Sequence, residues 1–198
     1  MKQKVLLVLV SELKNSEADL WRHSLNTAKL TVALAELLEP GTVALPERDL
    51  YTAALLHDIG KTRLDPGLFT KRGRLTRQEW AEVKRHPALG AALVREMDKE
   101  AYPGITDLIL YHHERWDGTG YFGLAGAAIP MGARILALAD ALDAMVSNRP
   151  YRARLTWVEA LKEIEWNAGS QFDPQLALQA RRMLPLLREV RGGALGTL

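Results

Sequence analysis

The sequence predicts an all-α fold built as one helical domain, and three observations predict it. Apolar residues recur three and four apart along most of the chain, and strand-like alternation is scarce. An apolar fraction of 47% in 198 residues is enough for one sizeable core.

The elements follow in order. MKQKVLLVLV opens with a basic start and an apolar run at 5–10, which Ser11, Glu12 and Lys14 interrupt. The run is too short for a membrane span and no small-residue cleavage site follows it, so a short amphipathic helix is expected, an extension over 1–15. The chain then reads as having no membrane span and as cytoplasmic. Leu20, Thr27, Leu30, Leu34, Leu37 and Leu38 predict a helix that stops at Pro40 and Gly41. Leu50, Ala53, Ala54 and His57 share one face of a second helix, which Gly60 is expected to close. Asp65, Pro66 and Gly67 make a turn, and Thr76 with Glu79 reads as a capping box opening a helix to about Arg85. Pro87 marks a joint before a helix through Met97. Further helices are expected over 105–113, 131–147, 158–168 and 175–187. The loop at 116–126 carries Gly118, Gly120, Gly123 and Gly126, too many for a helix and suited to tight turns. The main domain is expected over 16–188, with a disordered tail over 189–198.

Charge and composition exclude some functions. The 26 basic and 24 acidic residues nearly balance, which argues against a dedicated binder of nucleic acid polymers. With no cysteine, any metal site must be built from histidine and carboxylate.

The five histidines are therefore informative. His23 lies one helical turn after Asp19, His57 precedes Asp58 at a helix end, His86 precedes Pro87, and His112 and His113 end another helix. Asp140 sits within the apolar helix ARILALADALDAM and needs a partner. Each observation has an ordinary alternative. Asp19 and His23 can be a surface pair, Asp140 can pair with Arg134, His112 and His113 can be loop residues, and Arg149 and Arg152 in NRPYR can be solvated. Taken together, histidines at helix ends and joints beside carboxylates point to metal-assisted hydrolysis. Imidazole and carboxylate suit Fe, Mn or Zn, and an Asp can bridge two ions. A metal pair clamps a phosphoryl oxygen, so phosphate esters are the natural substrates, with Lys61, Arg149 and Arg152 as cations for their oxygens.

HDIGK at 57–61 followed by HHERWDGTGYF at 112–122 resembles the paired signature of the HD-GYP family, a subgroup of the HD phosphohydrolases. The resemblance runs from about Asp19 to Pro174 and takes in IPMGARILALADALDAM, NRPYR and GSQFDP. It implies an HD-type helical bundle with a Gly-rich GYP-like loop. It also implies a phosphodiesterase that opens cyclic di-GMP, a bacterial second messenger, to pGpG and on to GMP by a metal-bridged hydroxide. Two or three divalent ions, Fe(II) or Mn(II), would be held by His23, His57, Asp58, His86, His112, His113 and Asp140, with Asp58 bridging. Asp19 stands where members with a third ion have Glu. Lys61 would contact or protonate near the scissile phosphate, and Arg149 and Arg152 resemble the family's phosphate-contacting cations. Phe122 replaces the Pro of the GYP signature; the four surrounding glycines are expected to leave the loop flexible, and a diguanylate-cyclase (GGDEF) domain or sensor protein is the expected partner there. Two other classes stay open: an HD phosphohydrolase for another nucleotide or phosphate ester, and a non-catalytic receptor or scaffold.

Overall fold

A computed structural model describes residues 2–71, 73–97, 104–147 and 154–183. The described residues form ten α-helices in chain order: α1 Lys2–Lys14, α2 Ala18–Ala35, α3 Glu47–Leu56, α4 Gly67–Thr70, α5 Arg77–Val83, α6 His86–Met97, α7 Ile105–Tyr111, α8 Met131–Val146, α9 Trp157–Trp166 and α10 Pro174–Ala180. Among the described residues the only β pairing is an isolated bridge between Ala168 and Phe172. The all-α expectation holds. No helix among them is long and apolar enough to cross a membrane.

Local sequence sets the helix ends. Thr76 and Glu79 form the expected reciprocal capping box at α5, and Thr156 with Glu159 repeats it at α9. At α10 the Asp173 carboxylate accepts from the backbone N–H groups of Gln175 and Leu176, while Pro174 takes a first-turn position that needs no donor.

Two apolar clusters make the core. One joins Leu30, Ala33 and Leu34 of α2 to Ile135, Leu138 and Leu142 of α8 and to residues of α9 and α10. The other gathers Leu9 and Leu13 of α1, Leu50 and Leu56 of α3, Val94 of α6, Ile109 of α7 and Leu136 of α8. Helices α2 and α8 belong to both, so they form the common wall. Each fully buried Leu or Ile in it contributes roughly 1.5–3 kcal/mol. The polar residues that α2 and α8 carry toward α3 are thereby held by packing on both sides.

The residues 148–153, with Arg149 and Arg152, and 184–198, with the expected tail, lie outside the described residues.

Candidate metal centre

The histidines converge because three helices end or begin at one place. Helix α3 stops at Leu56, His57 is its C-cap, and the chain continues from Asp58 into a short 3-10 helix, Ile59–Arg63. Gly60 is not the helix stop that the sequence suggests. It lies inside the 3-10 helix, where a Cβ would fall 2.0 Å from the His86 carbonyl oxygen and 2.6 Å from the Gly90 nitrogen. Only a glycine lets this segment lie against the start of α6, and that approach brings His86 to Asp58.

Three rings are locked in the same way. Nδ1 of His57 lies 2.7 Å from the Ala54 carbonyl, Nδ1 of His86 lies 2.8 Å from that of Val83, and Nδ1 of His112 lies 2.7 Å from that of Ile109. A carbonyl can only accept, so each Nδ1 carries the proton and each Nε2 presents a lone pair inward. Their targets surround Asp58. Its Oδ2 lies 3.3 Å from His57 Nε2 and 3.8 Å from His23 Nε2, while its Oδ1 lies 3.2 Å from His86 Nε2 and 3.9 Å from His112 Nε2.

Two groups result. Asp58, His86, His112 and His113 place ligand atoms within 4.8 Å of one another, as do His23, His57 and Asp58. Asp58 is in both. His57 Nε2 and Asp58 Oδ1, one in each group, are fully buried with no aligned hydrogen-bond partner, a costly arrangement for two acceptors unless each faces a cation. Nitrogen and oxygen donors at this spacing fit divalent metal ions.

The electrostatics agree. Burial pushes the pKa of His112 well below the usual imidazole range, and burial likewise lowers that of His113 to about 4, so both rings are neutral and able to ligate at neutral pH. Asp58 stays ionised although burial opposes it, because the Lys61 ammonium beside it holds its carboxyl well below the ordinary range. Lys61 Nζ donates to Asp58 Oδ2 at 2.5 Å.

Asp140 finds its partner in His23, whose Nε2 lies 3.0 Å from its Oδ1. Arg134, the alternative partner, instead pairs with Asp173 at 2.6 Å. Asp140 also approaches His57 Nε2 at 4.0 Å. Asp19 corrects an expectation: its carboxylate is 73% exposed and pairs with Arg22 at 2.7 Å, so one turn of helix carries it out of the group that holds His23.

Asp143 is a residue the sequence reading missed. It is fully buried, and its carboxylate receives His23 Nδ1 at 2.8 Å, Asn26 Nδ2 at 3.0 Å and Ser147 Oγ at 3.1 Å. Burial alone would lower the His23 pKa, but hydrogen bonds to Asp140 and Asp143 outweigh it and push it up to about 10. A ligating His23 must shed that proton, with Asp143 still fixing the ring. Asp143→Asn keeps the shape and removes the charge. It should weaken metal retention by about 10- to 100-fold in a chelator competition while the helical circular dichroism persists; an unchanged metal affinity would remove Asp143 from this role.

Glu114, next to His113, supports the loop rather than the metal groups. Its buried carboxylate accepts from the backbone N–H of Phe122 at 2.7 Å and of Leu124 at 2.6 Å. Gly120 fits against it, since a Cβ there would fall 2.6 Å from Glu114 Cα. The loop also bonds outward, through Trp116 N to the Gln171 carbonyl at 3.1 Å and Asp117 N to that of Ser170 at 2.8 Å. The flexible loop expected from four glycines is in fact pinned at several points. It sets the Tyr121 ring over His113, with centroids 4.8 Å apart, and leaves Phe122 46% exposed, edge-on to Tyr111.

The HD domain family model matches residues 8–176. The chain belongs to the HD domain family. This HD domain is 41% identical over 176 residues to a cyclic di-GMP phosphodiesterase of Pseudomonas aeruginosa, covering 86% of this chain and 40% of that protein. It is 36% identical over 187 residues to a cyclic di-GMP phosphodiesterase of Vibrio cholerae, covering 86% of this chain and 37% of that protein. It thus spans about two-fifths of the length of these relatives. Its fold is similar to a solved cyclic GMP-AMP-specific phosphodiesterase from Vibrio cholerae, with a TM-score of 0.66 at 20% identity over 98% of this chain and 50% of that one.

Proposed function

We propose that this HD domain is a metal-dependent phosphodiesterase that opens cyclic di-GMP to pGpG and carries the linear product on to GMP. The observation that carries the reading is Asp58, one buried carboxylate shared by two histidine groups. The names of relatives at 36% and 41% identity support the substrate.

Two divalent ions fit the two groups; His86, His112 and His113 would hold one, His23, His57 and Asp140 the other, with Asp58 common to both. Such a pair supplies Lewis-acid polarisation of a phosphoryl oxygen and a water acidic enough to ionise near neutral pH. Fe(II) or Mn(II) suits imidazole and carboxylate donors without thiolate. A third ion through Asp19 is not part of this reading.

The chain's own residues do the rest. The locked Nε2 atoms fix the geometry before substrate arrives, at no reorganisation cost during reaction. Tyr121 covers His113 and limits water access on that side. Lys61, 23% exposed on its side chain, stands between Asp58 and solvent, where it can neutralise charge on a phosphate oxygen or the departing oxygen. Arg149 and Arg152 are the further phosphate cations of this proposal. A GGDEF domain or sensor protein would meet the loop at exposed Phe122, and a second-messenger substrate places the enzyme in the cytoplasm.

Lys61→Ala should keep its full metal content, because an ammonium is not a ligand and its removal frees Asp58 Oδ2. Turnover should fall about 100-fold through lost charge stabilisation. Metal loss alongside activity would give Lys61 a structural task instead. The reading as a whole is tested by anaerobic purification, metal analysis and product assay after loading Fe(II) or Mn(II). The substrates are cyclic di-GMP, 3'3'-cGAMP and bis(p-nitrophenyl) phosphate. Release of pGpG supports it; hydrolysis of the simple diester with both cyclic dinucleotides untouched would favour an HD phosphohydrolase for another ester.

A further inference from the structure

Helix α4 buries none of its residues, and its Phe69 ring is 36% exposed. An exposed aromatic is ordinary by itself. What distinguishes Phe69 is that its ring stays partly open to solvent while its segment is held in place. The Asp65 carboxylate accepts from Gly67 N at 2.8 Å, and Lys71 Nζ lies 2.7 Å from each Glu79 oxygen, tying the end of α4 to the start of α5. The ring stands 5.6 Å from Lys61 Nζ, the ammonium that also bonds Asp58.

A second pair of the same kind lies at the other group. Lys84 Nζ is 5.1 Å from the Tyr121 ring, which itself packs on His113. Lys61 contacts Asp58 Oδ2, the oxygen facing His57 and His23, whereas Tyr121 covers a histidine of the group around Oδ1. Each half of the centre thus has one ring beside one cation. A cyclic dinucleotide repeats the same chemistry twice, with a phosphate for each cation and a purine face for each ring.

We propose that Phe69 is a specificity-determining residue, the platform on which one purine of the substrate stacks while Lys61 meets the adjoining phosphate. The proposal rests on the phosphodiesterase reading above. Stacking needs a planar π face more than bulk, and it tolerates either purine. Phe69 therefore selects for a nucleobase over a simple diester without choosing guanine over adenine.

The test is steady-state kinetics of metal-loaded Phe69→Ala, Phe69→Leu and Phe69→Trp on cyclic di-GMP, with metal content measured for each. Phe69→Ala should raise KM about tenfold with a smaller effect on kcat, Phe69→Leu should behave like it, and Phe69→Trp should restore the wild-type KM. Three results overturn the assignment: a KM within twofold of wild type in Phe69→Ala, rescue by Leu as complete as by Trp, or loss of metal in Phe69→Ala. If the wild-type protein opens no cyclic dinucleotide yet cleaves bis(p-nitrophenyl) phosphate, the substrate reading falls and this inference falls with it. An unchanged Phe69→Ala beside an active wild type sinks the inference alone.

Discussion

Asp58→Ala should empty both halves of the metal centre at once and lower phosphodiester turnover about a thousandfold or more. The effect is large because, among the described residues, Asp58 is the one member common to both groups: Oδ2 lies toward His57 and His23, and Oδ1 toward His86 and His112. Without the carboxylate, buried imidazoles must hold dications with no shared anion to screen one from the other. The fold should survive, since Asp58 lies between the C-cap of α3 and the 3-10 helix and caps neither through its side chain. His113→Ala is the contrast, because His113 belongs to the first group alone. Metal analysis should find both ions missing in Asp58→Ala and one retained in His113→Ala, with helical circular dichroism kept in both. If Asp58→Ala holds as much metal as wild type, the two groups are not parts of one centre.

The sequence made the inner ring of this site readable and left its supports hidden, and the reason is physical. Histidine has few uses at helix ends beside carboxylates, so His57, Asp58, His86, His112 and His113 stood out, and the structure brings them together. Asp143 did not, although it lies one helical turn from Asp140. A second Asp on an amphipathic helix reads as a solvated face until α2 is seen to deliver His23 and Asn26 to it. Glu114 was hidden for a similar reason, since its partners are backbone N–H groups that any residue type would supply. Asp19 erred in the opposite direction. An i, i+4 spacing puts two side chains on one side of a helix, but Asp19 sits in the first turn of α2, where the bundle no longer covers it, and it turns to Arg22. The longer helices were legible because the 3.6-residue apolar period repeats along them, whereas α4, four residues that bury none of their side chains, fell where only a turn was expected. The loop at 116–126 was legible as a loop but not as a rigid one, because glycine content reports conformational freedom and says nothing of the partners that remove it.

Gly60 shows the same ambiguity with the largest structural consequence. Two reasons can place a glycine after HDI: a backbone angle that other residues avoid, or a neighbour too close for a Cβ. Gly60 is absent from the glycines with positive φ, so the second reason applies. The neighbours are backbone atoms of α6, the His86 carbonyl oxygen and carbon and the Gly90 nitrogen, and they cannot rotate away as a side chain would. Gly60→Ala must push the 3-10 helix and α6 apart, which costs about 3 kcal/mol or more, and in a chain of this length that lowers Tm by roughly 10 °C. The same displacement moves His86 away from Asp58, so metal affinity should fall together with Tm. Gly41→Ala separates the two causes. Gly41 has φ 85° with nothing within 4 Å of its Cβ position, so its cost is the backbone term alone, about 1–2 kcal/mol, with metal affinity untouched. Thermal melts and chelator competition on both variants decide the matter. A Gly60→Ala protein that melts with wild type and binds metal equally well would mean that α6 has slack, and that the contact at Gly60 does not position His86.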